Sequence, residues 1–269
     1  MNEMLNTEFR KAIDEECKAA ISVKGLINKR EVRLLFIAAA IPTAQGEVLE
    51  IGSFKGRSTL ILAKGARWAA QNKIVACDYF PPPTNPNDPA VRPRYEIFLE
   101  TLEQNGISEN VEIHRKFSAE LAKDWNRPIR LLWIDGDHSY PGVKADVDGF
   151  FPHLVPGAIV ALHDIGRSRL PGPTTCFMED VLMSDGFGMC GMCHYTGWAQ
   201  FIGSGGLEKY PLEKGKAYRF LAARKLQQVL GIKMRPLRRW RYKRFRRSGS
   251  FEKWVFSVYK DLVPSLKNL

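Results

Sequence analysis

Three short apolar runs in this sequence predict β-strands, and an acidic side chain comes after each of them. The runs are residues 73–77, 130–134 and 158–162, and they lead into Asp78, Asp135 and the pair His163-Asp164. Short apolar runs of this kind are typical of strands that a parallel sheet buries on both faces. The carboxyl ends of such strands line one ligand crevice, so we expect the three acids to face a common site.

The segments between these strands predict helices, because their apolar residues recur at spacings of three and four. Helices are predicted at residues 3–24, 30–40, 57–70, 94–105, 119–125, 142–151 and 174–184, and further strands at 47–51 and 111–114. Residues 187–195 and 198–202 predict a closing hairpin. This alternation indicates an α/β fold, with a doubly wound, Rossmann-like, mostly parallel sheet of seven strands and a C-terminal antiparallel hairpin.

A glycine-rich turn follows the first predicted strand. Glu50 lies near the end of the strand, and the spacing from Gly52 to Gly56 is G-x-x-x-G. Dinucleotide sites use G-x-G-x-x-G, and an acid two residues before the first glycine would repel a pyrophosphate. Such an acid suits a ligand with an amino group. Asp78, after the next strand, can accept hydrogen bonds from two ribose hydroxyls.

Three segments resemble the class I S-adenosylmethionine-dependent methyltransferases, most strongly the branch that includes sugar O-methyltransferases of the macrocin type. The segments are EIGSFKGRST, VACDYF and LWIDGDHSYPGVKADVDGFFPHLVPGAIVALHD. Ala158 stands where that branch has a second glycine. The resemblance implies that S-adenosylmethionine is the cofactor. It assigns the methionine part to Glu50, Gly52, Ser53, Gly56 and Ser58, the ribose to Asp78, the adenine to Ser118 and Ala119, and a further cofactor contact to Asp135.

The resemblance also implies a metal ion at the ends of the fourth and fifth strands. Related metal-dependent O-methyltransferases hold magnesium there, and the matching residues are Asp135, His163 and Asp164. Such an ion binds the substrate hydroxyls and lowers their pKa. His163 departs from the oxygen ligands that magnesium prefers, so magnesium or manganese is expected, and a vestigial site is the alternative.

A base for the hydroxyl proton is expected just after the fourth strand. His138, on the turn into the next helix, has an ordinary pKa suited to this role. Asp137 is the rival base, and a role for His138 in capping the helix is the alternative without catalysis.

The positive charge of the chain is concentrated at its C-terminal end. Residues 233–269 contain 12 Lys and Arg but 2 Asp and Glu, whereas the other 232 residues contain 28 and 27. We therefore predict a methyltransferase domain at residues 1–206 and a basic amphipathic helical tail at 207–269. The N-terminal residues have no apolar signal segment, and the five cysteines are an odd number, so a cytoplasmic location is expected.

The tail has three candidate partners. Its basic run at 233–247 is flanked by apolar helical stripes, a pattern typical of a helix that lies on an anionic membrane surface, here through residues 214–262 at the inner face. Nucleic acid would pair with the same charges. Packing on the domain or in a homo-oligomer would use the stripes and leave the arginines solvated.

The expected function is methyl transfer from S-adenosylmethionine to a hydroxyl of a sugar-like, glycan-like or other small acceptor. The alternative is a nucleic-acid-associated methyltransferase or platform protein that binds RNA through the tail. RNA base N-methylation typically uses an Asn/Asp-Pro-Pro-aromatic motif after the fourth strand, and this chain has IDGDH there.

Overall fold

The computed structural model describes residues 2–70, 73–83, 92–167, 169–230, 236–247 and 250–258. The strands within these residues are β1 Glu47–Ile51, β2 Ile74–Cys77, β3 Val111–His114, β4 Ile129–Ile134, β5 Leu154–Leu162, β6 Phe187–Cys193 and β7 Thr196–Phe201. The α-helices are α1 Asn2–Ser22, α2 Lys29–Ala40, α3 Arg57–Trp68, α4 Arg94–Gln104, α5 Ser118–Asp124, α6 Tyr140–Phe150, α7 Pro171–Cys176, α8 Gly206–Lys209, α9 Pro211–Leu230, α10 Pro236–Arg246 and α11 Ser250–Val258.

The strands form one sheet in the order β3-β2-β1-β4-β5-β7-β6. The first five in this order are parallel, whereas β7 runs antiparallel to both β5 and β6. This arrangement confirms the predicted Rossmann-like sheet with its closing hairpin. The strand order reverses between β1 and β4, and ligands bind at such a switch point because the loops after the two strands diverge.

Helices cover both faces of the sheet, and successive strand residues therefore enter two different cores. Val48 and Trp133 pack with α1–α4 and α11 on one face, whereas Leu49 and Leu132 pack with α5–α7 and α9 on the other. Every residue of β2 and β4 is buried. Burial on both faces explains why these strands are continuous apolar runs rather than alternating ones.

Two elements start three or more residues earlier than their sequence pattern predicts. β5 begins at Leu154 rather than at residue 158, and its pairing with β4 shifts register between Ile129 and Leu131. The sequence pattern does not predict this part of the strand, because it contains Pro156 and Gly157 and both residue types are unfavourable in regular strands. The predicted helix at 174–184 begins at Pro171, which is favourable in a first helical turn, and continues as a wider π turn from Phe177.

The helices after the hairpin pack on the sheet. Trp254 of α11 stacks on Trp198 of β7, with ring centroids 5.3 Å apart, and Phe251 contacts the same ring at 4.9 Å. Leu221 of α9 is fully buried on the opposite face. The Lys214 ammonium is also buried and donates to the carbonyl oxygens of residues 181, 182 and 184. These inward-facing side chains are not available to a membrane.

The proposed division of the chain at residue 206 stays a prediction. Residues 231–235, 248–249 and 259–269 of the predicted tail lie outside the described residues. Among the helices that the structure describes, none is both long enough and apolar enough to span a bilayer.

Candidate active site

The turn after β1 lies against the turn after β4. Gly52 has a φ of +88°, and a Cβ atom at this position would lie 2.2 Å from the carbonyl oxygen of Asp135. Only glycine fits both the left-handed conformation and this close approach. The predicted glycine turn thus brings the cofactor segment against the first acid of the predicted metal site, and Gly56 begins helix α3 beyond it.

Glu50 lies beneath the turn and is fully buried. Its Oε2 accepts hydrogen bonds from the hydroxyls of Ser53, at 2.9 Å, and Thr59, at 2.5 Å. Burial raises the pKa of Glu50 to about 7, although hydrogen bonds from hydroxyl groups oppose this shift. Because Glu50 has no exposed surface, its observed role is to hold the turn and the start of α3 together.

Asp78 fixes the shape of the same turn from the neighbouring strand. One carboxylate oxygen accepts from the backbone N–H groups of Ser53, at 2.9 Å, and Phe54, at 2.8 Å. The other accepts from the N–H of Phe80 at 2.7 Å. A carboxylate oxygen can accept more than one hydrogen bond, so Asp78 retains acceptor capacity toward the crevice.

A cavity of about 530 Å³ opens between these turns, within the size range of small-molecule sites. Of the predicted cofactor residues, its lining includes Gly52, Ser53, Ser58, Asp78, Ser118 and Asp135, but not Glu50, Gly56 or Ala119. The side chains of Tyr79 and Phe117 also line it and stack with their ring centroids 4.2 Å apart. Sequence reasoning missed this pair. The signal available was an aromatic residue directly after Asp78 and another directly before Ser118.

Four side chains meet at the ends of β4 and β5, at one side of this cavity. Asp135, His138, His163 and Asp164 each offer one ligand atom, and the four atoms lie within 4.8 Å of one another. His138 Nε2 lies 3.3 Å from Asp135 Oδ1 and 3.2 Å from Asp164 Oδ2. The structure thus brings the predicted base and the three predicted metal ligands into one cluster. The hydrogen bond with Asp135 raises the pKa of His138, and burial opposes this.

His163 is held between two carboxylates. Its Nδ1 lies 2.9 Å from Asp135 Oδ1, and its Nε2 lies 3.4 Å from Glu31 Oε1, an ion-pair contact rather than an aligned hydrogen bond. Burial lowers the pKa of His163, but the two carboxylates outweigh burial and raise it to about 10. Glu31, which sequence reasoning missed, is 1% exposed.

Glu31 is placed by the start of α2. It belongs to a capping box, in which the Asn28 side chain accepts from the Glu31 N–H and Glu31 Oε2 accepts from the Asn28 N–H. Its Oε1 accepts from the Tyr195 N–H at 3.0 Å and the Thr196 hydroxyl at 3.1 Å. The spacing N-x-x-E was the only sequence signal for Glu31, and it indicates a helix start rather than a contact with His163.

Asp164 occupies an unusual backbone conformation at the edge of the cluster. Its φ is +58°, which is uncommon for a residue with a side chain, and it is 5% exposed. Arg167 Nε lies 2.5 Å from Asp164 Oδ1. Strained residues of this kind concentrate at functional sites, so the conformation supports a functional role for Asp164.

Asp137 lies outside the cluster. Its carboxylate accepts from the Ser139 N–H at 2.9 Å and from the Ser139 hydroxyl at 2.8 Å. These hydrogen bonds lower the pKa of Asp137. The Ser139 hydroxyl in turn caps α6 through the N–H of Gly142. Asp137 is therefore engaged in starting the helix, and its lowered pKa makes it a weaker base than His138.

The four-residue cluster fits a divalent metal ion. His163 Nδ1 faces the cluster, 2.9 Å from Asp135 Oδ1 and 3.5 Å from Asp164 Oδ1, so it is the imidazole atom that could coordinate an ion, whereas His163 Nε2 faces Glu31. The carboxylates of Asp135 and Asp164 and the imidazole of His163 form a mixed oxygen and nitrogen donor set, with His138 beside it. The carboxylates suit magnesium or manganese, and the imidazole departs from the oxygen ligands that magnesium prefers.

The fold and the matched sequence show what the protein resembles. Residues 49–165 match a family described as "Methyltransferase domain". This match and the fold confirm the predicted resemblance to the class I S-adenosylmethionine-dependent methyltransferases. The matched segment begins within β1 and ends at the residue after Asp164. It contains the glycine turn, Asp78 and all four residues of the cluster.

Solved structures with the same fold include three whose names state a cofactor or an activity. Cofactor-bound Rv0187 from MTB is 18% identical, with 72% of this chain and 89% of that chain covered and a TM-score of 0.52. The O-methyltransferase from Bacillus cereus, in complex with SAH, is 15% identical over 72% and 90%, with a TM-score of 0.51. The O-methyltransferase TomG from Streptomyces achromogenes, in complex with SAM, is 18% identical over 66% and 82%, with a TM-score of 0.51.

Proposed function

We propose that the protein transfers the methyl group of S-adenosylmethionine to a hydroxyl of a sugar-like or other small acceptor. The observation that supports this most directly is the position of His138. It lines the cofactor cavity and also belongs to the cluster with Asp135 and Asp164. A hydroxyl bound beside His138 would therefore lie next to the donated methyl group and next to a base.

The cofactor is proposed to bind along the turns after β1, β2 and β3. Gly52, Ser53 and Ser58 would surround the methionine part, and Asp78 would accept hydrogen bonds from the ribose hydroxyls. The adenine would lie near Ser118 and the aromatic pair. Glu50 would act indirectly, because its contacts with Ser53 and Thr59 hold the turn in place.

The chemical step is proposed to use His138 as general base. The acceptor oxygen attacks the methyl carbon, and the carbon–sulfur bond breaks with its electron pair remaining on sulfur, which gives S-adenosylhomocysteine. The hydroxyl proton passes to His138 Nε2, and Asp135 and Asp164 stabilise the resulting imidazolium. When bound by Asp135, His163 and Asp164, a divalent ion would supply Lewis-acid activation of the hydroxyl.

This proposal is tested with the full-length chain and S-adenosylmethionine labelled in its methyl group with deuterium. Small hydroxylated metabolites from a cell extract are incubated with enzyme, and mass spectrometry detects products that carry the label on oxygen. Label on nitrogen of RNA instead would overturn the assignment to a hydroxyl acceptor. If EDTA leaves the rate unchanged, the metal assignment is wrong and His138 acts alone.

The outward face of α10 supports a second, non-catalytic proposal, that it binds anionic bilayers. Leu237 and Trp240 are 60% and 54% exposed, and the neighbouring Arg239 and Arg241 are exposed as well. Basic residues beside exposed apolar ones are typical of interfacial helices. The inward-facing Trp254 is excluded from this face because it packs on β7. Formation of a homo-oligomer stays a prediction.

Liposome co-sedimentation tests the second proposal. Vesicles with anionic lipid should pellet the full chain, and Trp240→Ala should reduce pelleting more than Trp68→Ala, which alters a tryptophan of α3 on another face. Added salt should weaken the binding, because it screens the charge contribution. Binding of RNA but not of anionic vesicles would overturn the membrane proposal and favour the nucleic-acid alternative.

A further inference from the structure

A second cavity lies beside the turn after β5, next to Asp164 of the cluster. Its volume is about 490 Å³, and its lining residues are Gly166, Arg167, Arg169, Leu170, Tyr195 and Arg224. Among these described lining residues, three are arginines and none is acidic. We call it the arginine cavity.

The arginines come from two separate parts of the chain and are held by the fold. Arg224, on α9, lies beside the turn after β5, and its Nε donates to the carbonyl oxygen of Gly166 at 3.3 Å. Arg167 packs its guanidinium over the Tyr195 ring at 4.6 Å. Arg246 of α10 lies on the same ring at 3.8 Å. A fourth cation therefore lies behind the wall of the cavity.

The turn that carries Arg167 packs closely against the tail. Gly166 has a φ of +80°, and a Cβ atom there would lie 2.2 Å from the hydroxyl oxygen of Tyr242 on α10. Only glycine permits this approach of the tail helix to the turn. The tail helices thus help to form the arginine cavity, through Arg224 as lining and Tyr242 as support.

The arginine cavity is separated from the reaction centre by one carboxylate. His138, which lines the cofactor cavity, contacts Asp164 Oδ2 at 3.2 Å. Asp164 Oδ1 in turn contacts Arg167 Nε at 2.5 Å. An acceptor with its hydroxyl beside His138 would reach the arginine cavity if its other end passed Asp164.

We propose that the arginine cavity binds the phosphoryl group of the acceptor, so that the methylated substrate is a phosphorylated hydroxy compound such as a sugar phosphate or sugar diphosphate. This inference rests on the proposed function, because it concerns the acceptor of the same reaction. Arginine donates two parallel hydrogen bonds to phosphate oxygens. Arg167 is paired with Asp164, and the positive charges of Arg169 and Arg224 favour a group that carries more than one negative charge.

Isothermal titration calorimetry with pyrophosphate and the full chain tests the inference. Arg169→Gln and Arg224→Gln should each weaken pyrophosphate binding by about tenfold or more, through the loss of charge-assisted hydrogen bonds. The matched control is Arg219→Gln, which removes the same charge from the exposed face of α9 and should leave the affinity unchanged. Acetate, which carries a single charge, should bind more weakly than pyrophosphate.

Two outcomes would overturn the inference, namely no pyrophosphate binding by the wild type or an equal loss in Arg219→Gln and Arg224→Gln. The second would mean that the anion binds to the basic surface in general. Arg169→Gln guards against misfolding, because Arg169 is exposed. Binding of S-adenosylhomocysteine is measured in parallel. If the wild type does not bind S-adenosylhomocysteine, the proposed function is overturned. If it binds S-adenosylhomocysteine but not pyrophosphate, this inference alone is overturned.

Discussion

The cofactor side of the candidate site, formed by Glu50 to Thr59 and Asp78, is held by contacts between residues close in the chain. Thr59 and Glu50 are 9 positions apart, and Ser53 and Asp78 are 25 apart. The acceptor side, formed by the cluster and the arginine cavity, also depends on contacts between residues that are much further apart in the chain. Tyr195 and Glu31 are 164 positions apart.

Because of this difference, the two sides depend on different elements of the fold. The cofactor side needs β1, β2 and the start of α3. The acceptor side also needs α2 for Glu31, the β6–β7 hairpin for Tyr195, and the tail helices for Arg224 and Tyr242. We therefore expect changes on the cofactor side to alter cofactor binding alone, and changes in the tail to alter the acceptor side first.

The largest expected effect is on turnover, from His138→Ala. Loss of a general base typically slows a reaction by about 10²–10⁴-fold. Affinity for S-adenosylhomocysteine, measured by calorimetry, should remain close to that of the wild type, because the cofactor contacts of Asp78 are intact. The control is His153→Ala, in the loop before β5, which should keep full turnover. Equal loss of turnover and of cofactor affinity in His138→Ala would remove the distinction between the two sides.

Trp254→Ala should have the next largest effect, on stability. The substitution removes a buried indole that stacks on Trp198, and buried Trp→Ala changes cost about 3–5 kcal/mol. Trp240→Ala is the matched control, because Trp240 is 54% exposed and exposed substitutions usually change stability by less than about 0.5 kcal/mol. The free energy of unfolding from urea denaturation measures both. Equal stability of the two variants would show that α11 does not need its contact with β7.

Asp78→Ala tests the cofactor side. The variant loses the proposed acceptor for the ribose hydroxyls and the contacts that shape the turn, so binding of S-adenosylhomocysteine should weaken by about 2–4 kcal/mol. Asp78→Asn keeps the shape of the side chain and should show a smaller loss. Pyrophosphate affinity should not change in either variant. A loss of pyrophosphate binding would show that the two sides are coupled.

The cofactor side was largely predictable from the sequence because its geometry follows from local rules. A strand, a glycine turn and a helix place Gly52 and Ser58, and the carboxyl end of the next strand places Asp78. The local rules did not predict that Glu50 would be fully buried. The family resemblance assigned the adenine to Ala119 as well as Ser118, although the cavity is lined by Ser118 and not by Ala119.

The acceptor side was predictable only in part. Asp135 and Asp164 follow strands of the same sheet, so their proximity could be inferred, and His138 followed from its place after β4. Glu31 and Arg224 could not be inferred, because no pattern near either residue reveals the long-range contact. A sequence pattern can also suggest a site that the fold does not form. Residues 190–194 have the C-x-x-C-H spacing of c-type haem attachment, but Cys190 and Cys193 pack with different faces of the sheet.

Glu50 gives the smallest of these effects, a dependence of stability on pH that arises on the cofactor side. Burial raises its pKa from an ordinary 4.5 to about 7 in the folded protein. Between these two values the folded state binds more protons than the unfolded state, so stability falls as pH rises through this window. Above it, the buried carboxylate costs at most about 3 kcal/mol relative to acid conditions.

Glu50→Gln should remove this dependence while keeping a carbonyl oxygen that accepts from Ser53 and Thr59. The difference in unfolding free energy between the variant and the wild type, measured by urea denaturation from pH 5 to pH 8, should shift in favour of the variant as pH rises. Glu109→Gln, at an exposed position, should show no such trend. A flat difference for Glu50→Gln would mean that the Glu50 carboxyl titrates alike in the folded and unfolded states. In that case the hydrogen bonds from Ser53 and Thr59 would offset the cost of burying the Glu50 carboxylate in full. The local contacts of the cofactor side would then be stronger than the raised pKa of Glu50 indicates.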